Sequence, residues 1–267
     1  SFDNGGVAYS LANTAVGFEA LYTNNPTFLG NAQYNTAIGY KSLMQNTNGN
    51  GNTALGYNAL NENTNGSSNT AVGSSALLAN TTGLRNVAIG TATAWNNTAG
   101  SDNIAIGTLA LSTQNFNIGY GYSTGNIAIG FYSLFNNNPT VSDNGKYNTA
   151  IGYYAMKENT IGFNNTTLGY YSAVNNTTGS YNVAIGDSSG FTLTTGNNNT
   201  LLGKKADVIT NNLTYAAAVG ADATVNCSNC LALGGNLPAT LTRVGINNNN
   251  PVYSLDINQI KKVNRYG

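Results

Sequence analysis

Residues Asn52 to Gly73 read Asn-Thr-Ala-Leu-Gly-Tyr-Asn-Ala-Leu-Asn-Glu-Asn-Thr-Asn-Gly-Ser-Ser-Asn-Thr-Ala-Val-Gly, so the pentapeptide that opens the stretch returns 17 residues later. The same pentapeptide ends at Gly17, Gly39, Gly56, Gly73, Gly90, Gly107, Gly130, Gly152, Gly169, Gly186 and Gly203, with degenerate copies at Gly220 and Gly234. The spacing is 17 residues at most steps, 22 or 23 at three of them and 14 at the last. A short fixed period describes a small unit that cannot bury its own apolar face and must stack on its neighbours. The stretches between copies are saturated with Gly, Asn and Thr, all poor helix formers, which excludes an amphipathic helix. The expected fold is all-β, a parallel β-solenoid of about 17 residues per coil.

Within one coil, side chains of a strand alternate, so Thr53 and Leu55 share one face while Ala54 and Gly56 share the other. One step before Gly stands a large aliphatic such as Ile38, Leu55, Ile106 or Ile129, and four steps after it stands Leu21, Leu43, Leu60, Leu77, Leu111, Leu134 or Met156, with Trp95 shifted by one. Both positions read as aliphatic columns of the core. Two such residues contribute about 3–6 kcal/mol per coil before chain entropy is counted. That is thin for 17 residues, and it calls for further chains beside the coil. Ile106 is then a core residue, and Asn97 is expected in an inter-strand turn. About 12 coils at about 4.8 Å each give a rod near 60 Å long. The longer spacings insert five or six residues, around Asn24–Gly30, Asn115–Thr124 and Asn137–Gly145, as loops projecting from the rod.

Composition narrows the function. Charged residues are 7% of the 267 and net charge is zero, so the surface is expected to be solvated by Asn, Thr, Ser and Gly. With 41% hydrophobic residues the chain is too apolar for disorder. Ten Lys plus Arg give no footprint for nucleic acid, and no apolar run approaches the length of a membrane span. His is absent, which removes imidazole-dependent triads, and the ten carboxylates do not recur in phase as a pair. The expectation is a protein that is not an enzyme, with no cofactor and no metal. Cys227 and Cys230 form a lone Cys-x-x-Cys without the further ligands that zinc needs, and read as thiols in a degenerate coil.

The Asn-Thr-Ala-Ile-Gly copies over residues 13–234 resemble the head repeats of trimeric autotransporter adhesins, although the period there is shorter. The resemblance implies a left-handed parallel β-roll assembled as a homotrimer. Arg243-Val244-Gly245-Ile246, Pro251 and Leu255-Asp256-Ile257-Asn258 resemble the segment that precedes the intramolecular chaperone domain of bacteriophage tail fibres and tailspikes. The expected organisation is a solenoid over 1–234 and a connector or cap over 235–267. The two resemblances imply a structural and receptor-binding segment of a trimeric, tail-fibre-like rod. It would sit outside the cell or on a virion and attach to a cell-surface glycan or protein. The alternative is a bacterial extracellular adhesin. An ice-binding face is disfavoured, because the Thr column at Thr53 and Thr70 is broken by Val87, Ile104, Ile127 and Val183.

Aromatic residues supply the candidate contacts. Phe18, Tyr40, Tyr57, Phe131, Tyr153 and Tyr170 directly follow the repeat Gly. Stacked coils would put them in ladders that either brace the rod or offer sugars a platform. The loop aromatics Phe28, Tyr34, Phe116, Tyr120, Tyr122 and Tyr147 are the candidate binding residues, since insertions carry variable recognition.

Overall fold

A computed structural model describes residues 12–24, 30–115, 122–235, 244–246 and 255–257. Phe28, Phe116 and Tyr120 lie outside the described residues. Within them every coil contributes one three-residue strand, from Thr14–Val16 through Thr53–Leu55 to Leu231–Leu233, to a single 13-stranded parallel sheet. Like pairs with like: Thr53 lies on Thr70, Ala54 on Ala71 and Leu55 on Val72. Among the described residues there is no helix. The chain is a parallel β-solenoid, as its period requires.

Each strand ends at the repeat glycine, whose φ lies in a region closed to other residues: +139° at Gly56 and +141° at Gly152. The glycines stack so closely that a Cβ on Gly56 would sit 2.6 Å from the carbonyl oxygen of Gly73. The limb that follows is not a strand. Its backbone is left-handed at the second and fourth residues after Gly, for example Lys41 (φ 53°) and Leu43 (φ 50°). The Lys41 N–H therefore donates back to Phe18 O and the Leu43 N–H forward to Ala59 O, each at 2.9 Å. Such a conformation costs about 1–2 kcal/mol per non-Gly residue. At the fourth position, full burial of Leu43, Leu60, Leu77, Leu111 and Leu134 offsets it.

The inside of the sheet differs from the expectation. The fully buried strand residue is the central Ala, at Ala37, Ala54, Ala71, Ala88, Ala105, Ala128 and Ala150. The large aliphatic before Gly points outward, and Ile38, Leu55, Ile89, Leu168 and Leu202 are exposed. The lumen lies between the strand and the left-handed limb, and the Leu column already fills it, leaving room only for a methyl group opposite. Where the Leu column thins to Gly190, Leu201 replaces the strand Ala, and a Cβ on Gly190 would meet its Cδ1 at 3.1 Å. Ala94 rather than Trp95 continues the Leu column, and Trp95 is exposed.

The second correction concerns asparagine, which fills the core in two ladders. The residue before each strand (Asn35, Asn52, Asn69, Asn86, Asn103, Asn126, Asn148, Asn165, Asn182) is almost completely buried. Its Oδ1 accepts the backbone N–H of its counterpart in the next coil, as from Asn69 N to Asn52 Oδ1 at 2.9 Å. Its amide donates across the lumen, as from Asn52 Nδ2 to Gly66 O at 2.8 Å. A second ladder runs through Asn46, Asn63, Asn80, Asn97, Gln114, Asn137, Asn159 and Asn176, also buried. Asn63 Nδ2 donates both to Asn46 Oδ1 (3.0 Å) and to Gly66 O (2.9 Å). In the 23-residue coil the longer Gln114 keeps the ladder continuous, donating to Asn97 Oδ1 at 3.1 Å and accepting from Asn126 and Asn137. Leu193 follows Asn176 in this column, which leaves Asn176 Oδ1 buried without a partner. Asn97 is thus a fully buried ladder residue and not a turn residue.

At the far end of the sheet, Cys227 and Cys230 are joined in a disulfide and are not thiols. The Cys230 carbonyl accepts from Ala217 N at 2.8 Å, immediately before the last strand, Leu231–Leu233. Closing so short a loop stabilises the rung by about 2 kcal/mol. A double Cys227→Ser/Cys230→Ser variant is therefore expected to exchange its amides faster at 224–233 and at an unchanged rate near Ala105, as read by hydrogen-exchange mass spectrometry.

Candidate functional site

Three surfaces run the length of the solenoid. The first is the outer face of the sheet. Its two outward columns hold Thr, Val, Ile, Ala or Leu in one row and only Val, Ile or Leu in the other, over all 13 strands. No charged residue stands in either row. The face is about 60 Å long, and the exposed members include Val16, Ile38, Leu55, Ile104, Leu168, Leu231 and Leu233.

The second surface is the corner after the repeat glycine, where the aromatics do form ladders. Phe18, Tyr40 and Tyr57 stack at 5.6 and 5.3 Å between centroids, and Phe131, Tyr153 and Tyr170 at 5.2 and 5.5 Å, with interplanar angles of 6–18°. A parallel column, Tyr132–Tyr154–Tyr171, stacks beside the latter at 5.3 and 5.1 Å. Burial among these rings raises the hydroxyl pKa values of Tyr153 and Tyr170, with the neighbouring tyrosines adding to the effect. Lys157 lies over the Tyr154 ring and pairs with Glu158 at 2.7 Å. A face-to-face ladder covers the ring faces that a sugar would need, so the inner rings brace the rod and offer solvent only their edges.

The third surface is the opposite corner, two residues before each strand. Every residue there is left-handed, including Tyr34, Arg85, Asp102, Tyr147, Asn164, Tyr181, Asn198, Tyr215 and Asn229, with φ between 53° and 64°. The backbone fixes the column: Asn164 N donates to Lys146 O, Tyr181 N to Phe163 O, Asn198 N to Ser180 O and Tyr215 N to Asn197 O, all at 3.0 Å. Arg85 and Asp102 face one another across adjacent coils in a bidentate pair at 2.6 and 3.0 Å, and the guanidinium holds the Asp102 carboxyl below its usual range.

Of the candidate binding residues, Tyr34 and Tyr147 fall in this third column, 68% and 49% exposed. Tyr122 lies elsewhere, in a short strand paired with Gly100–Ser101. Tyr181 and Tyr215, 52% and 63% exposed, belong with Tyr147 and escape a reading keyed to insertions. The signal was present all the same: 147, 181 and 215 are spaced by 34 residues, two periods of the repeat. Tyr147 lies against Gly125 of the preceding coil, where a Cβ would come within 2.9 Å of its ring, and Lys146 stands 5.4 Å from the ring centroid.

A cavity of about 320 Å³ is lined by Ser188, Phe191, Lys205 and Asp207. Burial pushes the Asp207 carboxyl pKa up, against hydrogen bonds from the Thr192 and Val208 amides. No group of three or more metal-ligating side chains occurs among the described residues. No protein-family model matches the chain, and no curated protein matches it either.

Proposed function

We propose that this chain is the structural and receptor-binding segment of a trimeric extracellular fibre, of the tail-fibre type, that attaches to a cell surface. The observation that carries the reading is the outer sheet face, an uncharged strip with one continuous row of Val, Ile and Leu beside a mixed row of Thr and aliphatics, running past 13 coils. Contiguous apolar patches of this extent mark protein–protein contacts. The strip keeps the same uncharged character in every coil, so it fits a parallel copy of itself, and copies related by an axis along the rod bury it on every chain. Ile38, Leu55 and Leu202, exposed on one chain, then become the core between chains, which completes the thin interior of each coil. A left-handed roll and threefold symmetry belong to this proposal through the repeat's resemblance to adhesin heads. The bacterial adhesin alternative shares the assembly and differs only in what anchors it.

The test is mass in solution. Light scattering is expected to give about three times the 27.7 kDa of the chain. Ile106→Asp places a carboxylate on the outer face and is expected to reduce the mass to that of one chain while circular dichroism stays β-rich. A single-chain mass for the parent protein refutes the proposal.

A further inference from the structure

We propose that the corner carrying Tyr147, Tyr181 and Tyr215 binds an extended, uncharged, linear glycan that lies parallel to the rod axis. The inference rests on the fibre reading above and names the chemistry of its receptor. Along this corner the residues alternate ring and amide: Tyr147, Asn164, Tyr181, Asn198, Tyr215, Asn229. The rings stand in every second coil, so successive rings are about 9–10 Å apart. No ring of the column stacks on another as Tyr40 does on Tyr57, although Tyr147 lies against Gly125 with Lys146 over its ring and Tyr181 meets Phe163 at 5.2 Å and a steep angle. In a β-linked chain of pyranoses each sugar is flipped relative to the last, so the same C–H face recurs at every second sugar, a repeat close to this ring spacing. Those C–H groups suit the negative face of an aromatic ring.

The amides between the rings complete the match. Nearly every buried ladder Asn in this protein is hydrogen-bonded through its side chain, whereas Asn164, Asn198 and Asn229 make no side-chain hydrogen bond among the described residues. Each offers a donor and an acceptor to sugar hydroxyls. None of the six residues is charged, and the nearby Lys146 is paired with Asp143 at 2.9 Å, so the strip selects a neutral ligand over a polyanion. The backbone adds a further indication. Tyr is a poor occupant of a left-handed position, and unlike the fully buried Leu residues of the opposite limb these rings stay about half exposed, so burial offsets less of the cost.

The variant that tests this is Tyr147→Asn/Tyr181→Asn/Tyr215→Asn. Asn already occupies the same column at the same φ, so the fold is expected to survive. Calorimetric titration of the parent assembly with cellohexaose, chitohexaose and mannohexaose is expected to show binding by at least one of them. That hexasaccharide should bind about tenfold or more tighter than its disaccharide, because several rings engage together. The triple variant should lose at least about tenfold in affinity, while Tyr170→Asn in the stacked ladder leaves affinity unchanged. Binding by none of the hexasaccharides, or equal binding by the triple variant, overturns the proposal. Loss of the assembled mass in the triple variant also overturns it, because the corner would then be a contact between copies. If the triple variant keeps both mass and attachment to cells, the strip is wrong and the fibre reading stands. A parent protein of single-chain mass defeats the fibre reading itself.

Discussion

Asn97→Asp is expected to lower stability by about 3–5 kcal/mol per chain, although it exchanges one oxygen for one nitrogen. Asn97 is fully buried, its Nδ2 donates to Gly100 O at 2.9 Å, and its Oδ1 accepts from Gln114 at 3.1 Å. A carboxylate keeps the second bond and turns the first into two oxygens facing each other. The effect should shrink as pH falls. The buried acid has a folded-state pKa raised above its unfolded value, and once protonated it can donate to Gly100 again, so stability returns below that pKa. Asn96→Asp is the matched control. Asn96 is half-buried, its side chain makes no hydrogen bond among the described residues, and the change should stay within about 0.5 kcal/mol. Thermal melts of both variants at pH 7 and pH 4 decide the matter, and equal melting temperatures at pH 7 would remove the ladder from the account of stability.

Gly152→Ala is expected to be worse, at more than about 4 kcal/mol. The added methyl would lie 2.2 Å from Gly169 O and 2.7 Å from its carbonyl carbon, at a φ of +141° that a side chain rarely adopts. Neither neighbour can yield, because each is backbone locked by the next coil. Gly51→Asn tests the opposite case: Gly51 has φ +64° and its nearest Cβ neighbour is 4.0 Å away, and the same column elsewhere holds Asn, Tyr and Arg. That change should cost no more than about 1–2 kcal/mol. Comparable urea midpoints for the two glycine variants would show that the glycine stack is not the constraint described.

The period, the parallel register and the Leu column were legible in the sequence because each is a matter of counting. Which face of the strand points inward was not. Alternation separates Thr53 and Leu55 from Ala54, but choosing the inner set by hydrophobicity favours Leu55, whereas lumen width selects Ala54. The asparagines misled for a related reason. Asn is a surface residue in most folds, yet when the same amide recurs in register most coils present a donor to the acceptor of the coil before, as where Asn69 meets Asn52 directly. Insertions point to Tyr147 through its long coil, whereas Tyr181 and Tyr215 stand in coils of ordinary length that carry no such mark.

Because every junction between coils is alike, the length of this rod is a free variable with a grain. Excising residues 148–164, one coil, would bring Asn165 into the place of Asn148 and leave strand, glycine stack and both ladders in phase. The corner column would not survive the same edit. Its pattern counts by two, so the loss of one coil would set Tyr147 and Tyr181 in adjacent layers, close enough to lie on each other as Tyr40 and Tyr57 do at 5.3 Å. The amide-bearing coil that separates the two rings would vanish. Loss of two coils would instead shorten the strip and keep its beat. The framework therefore tolerates any whole number of coils, whereas the corner column distinguishes odd from even.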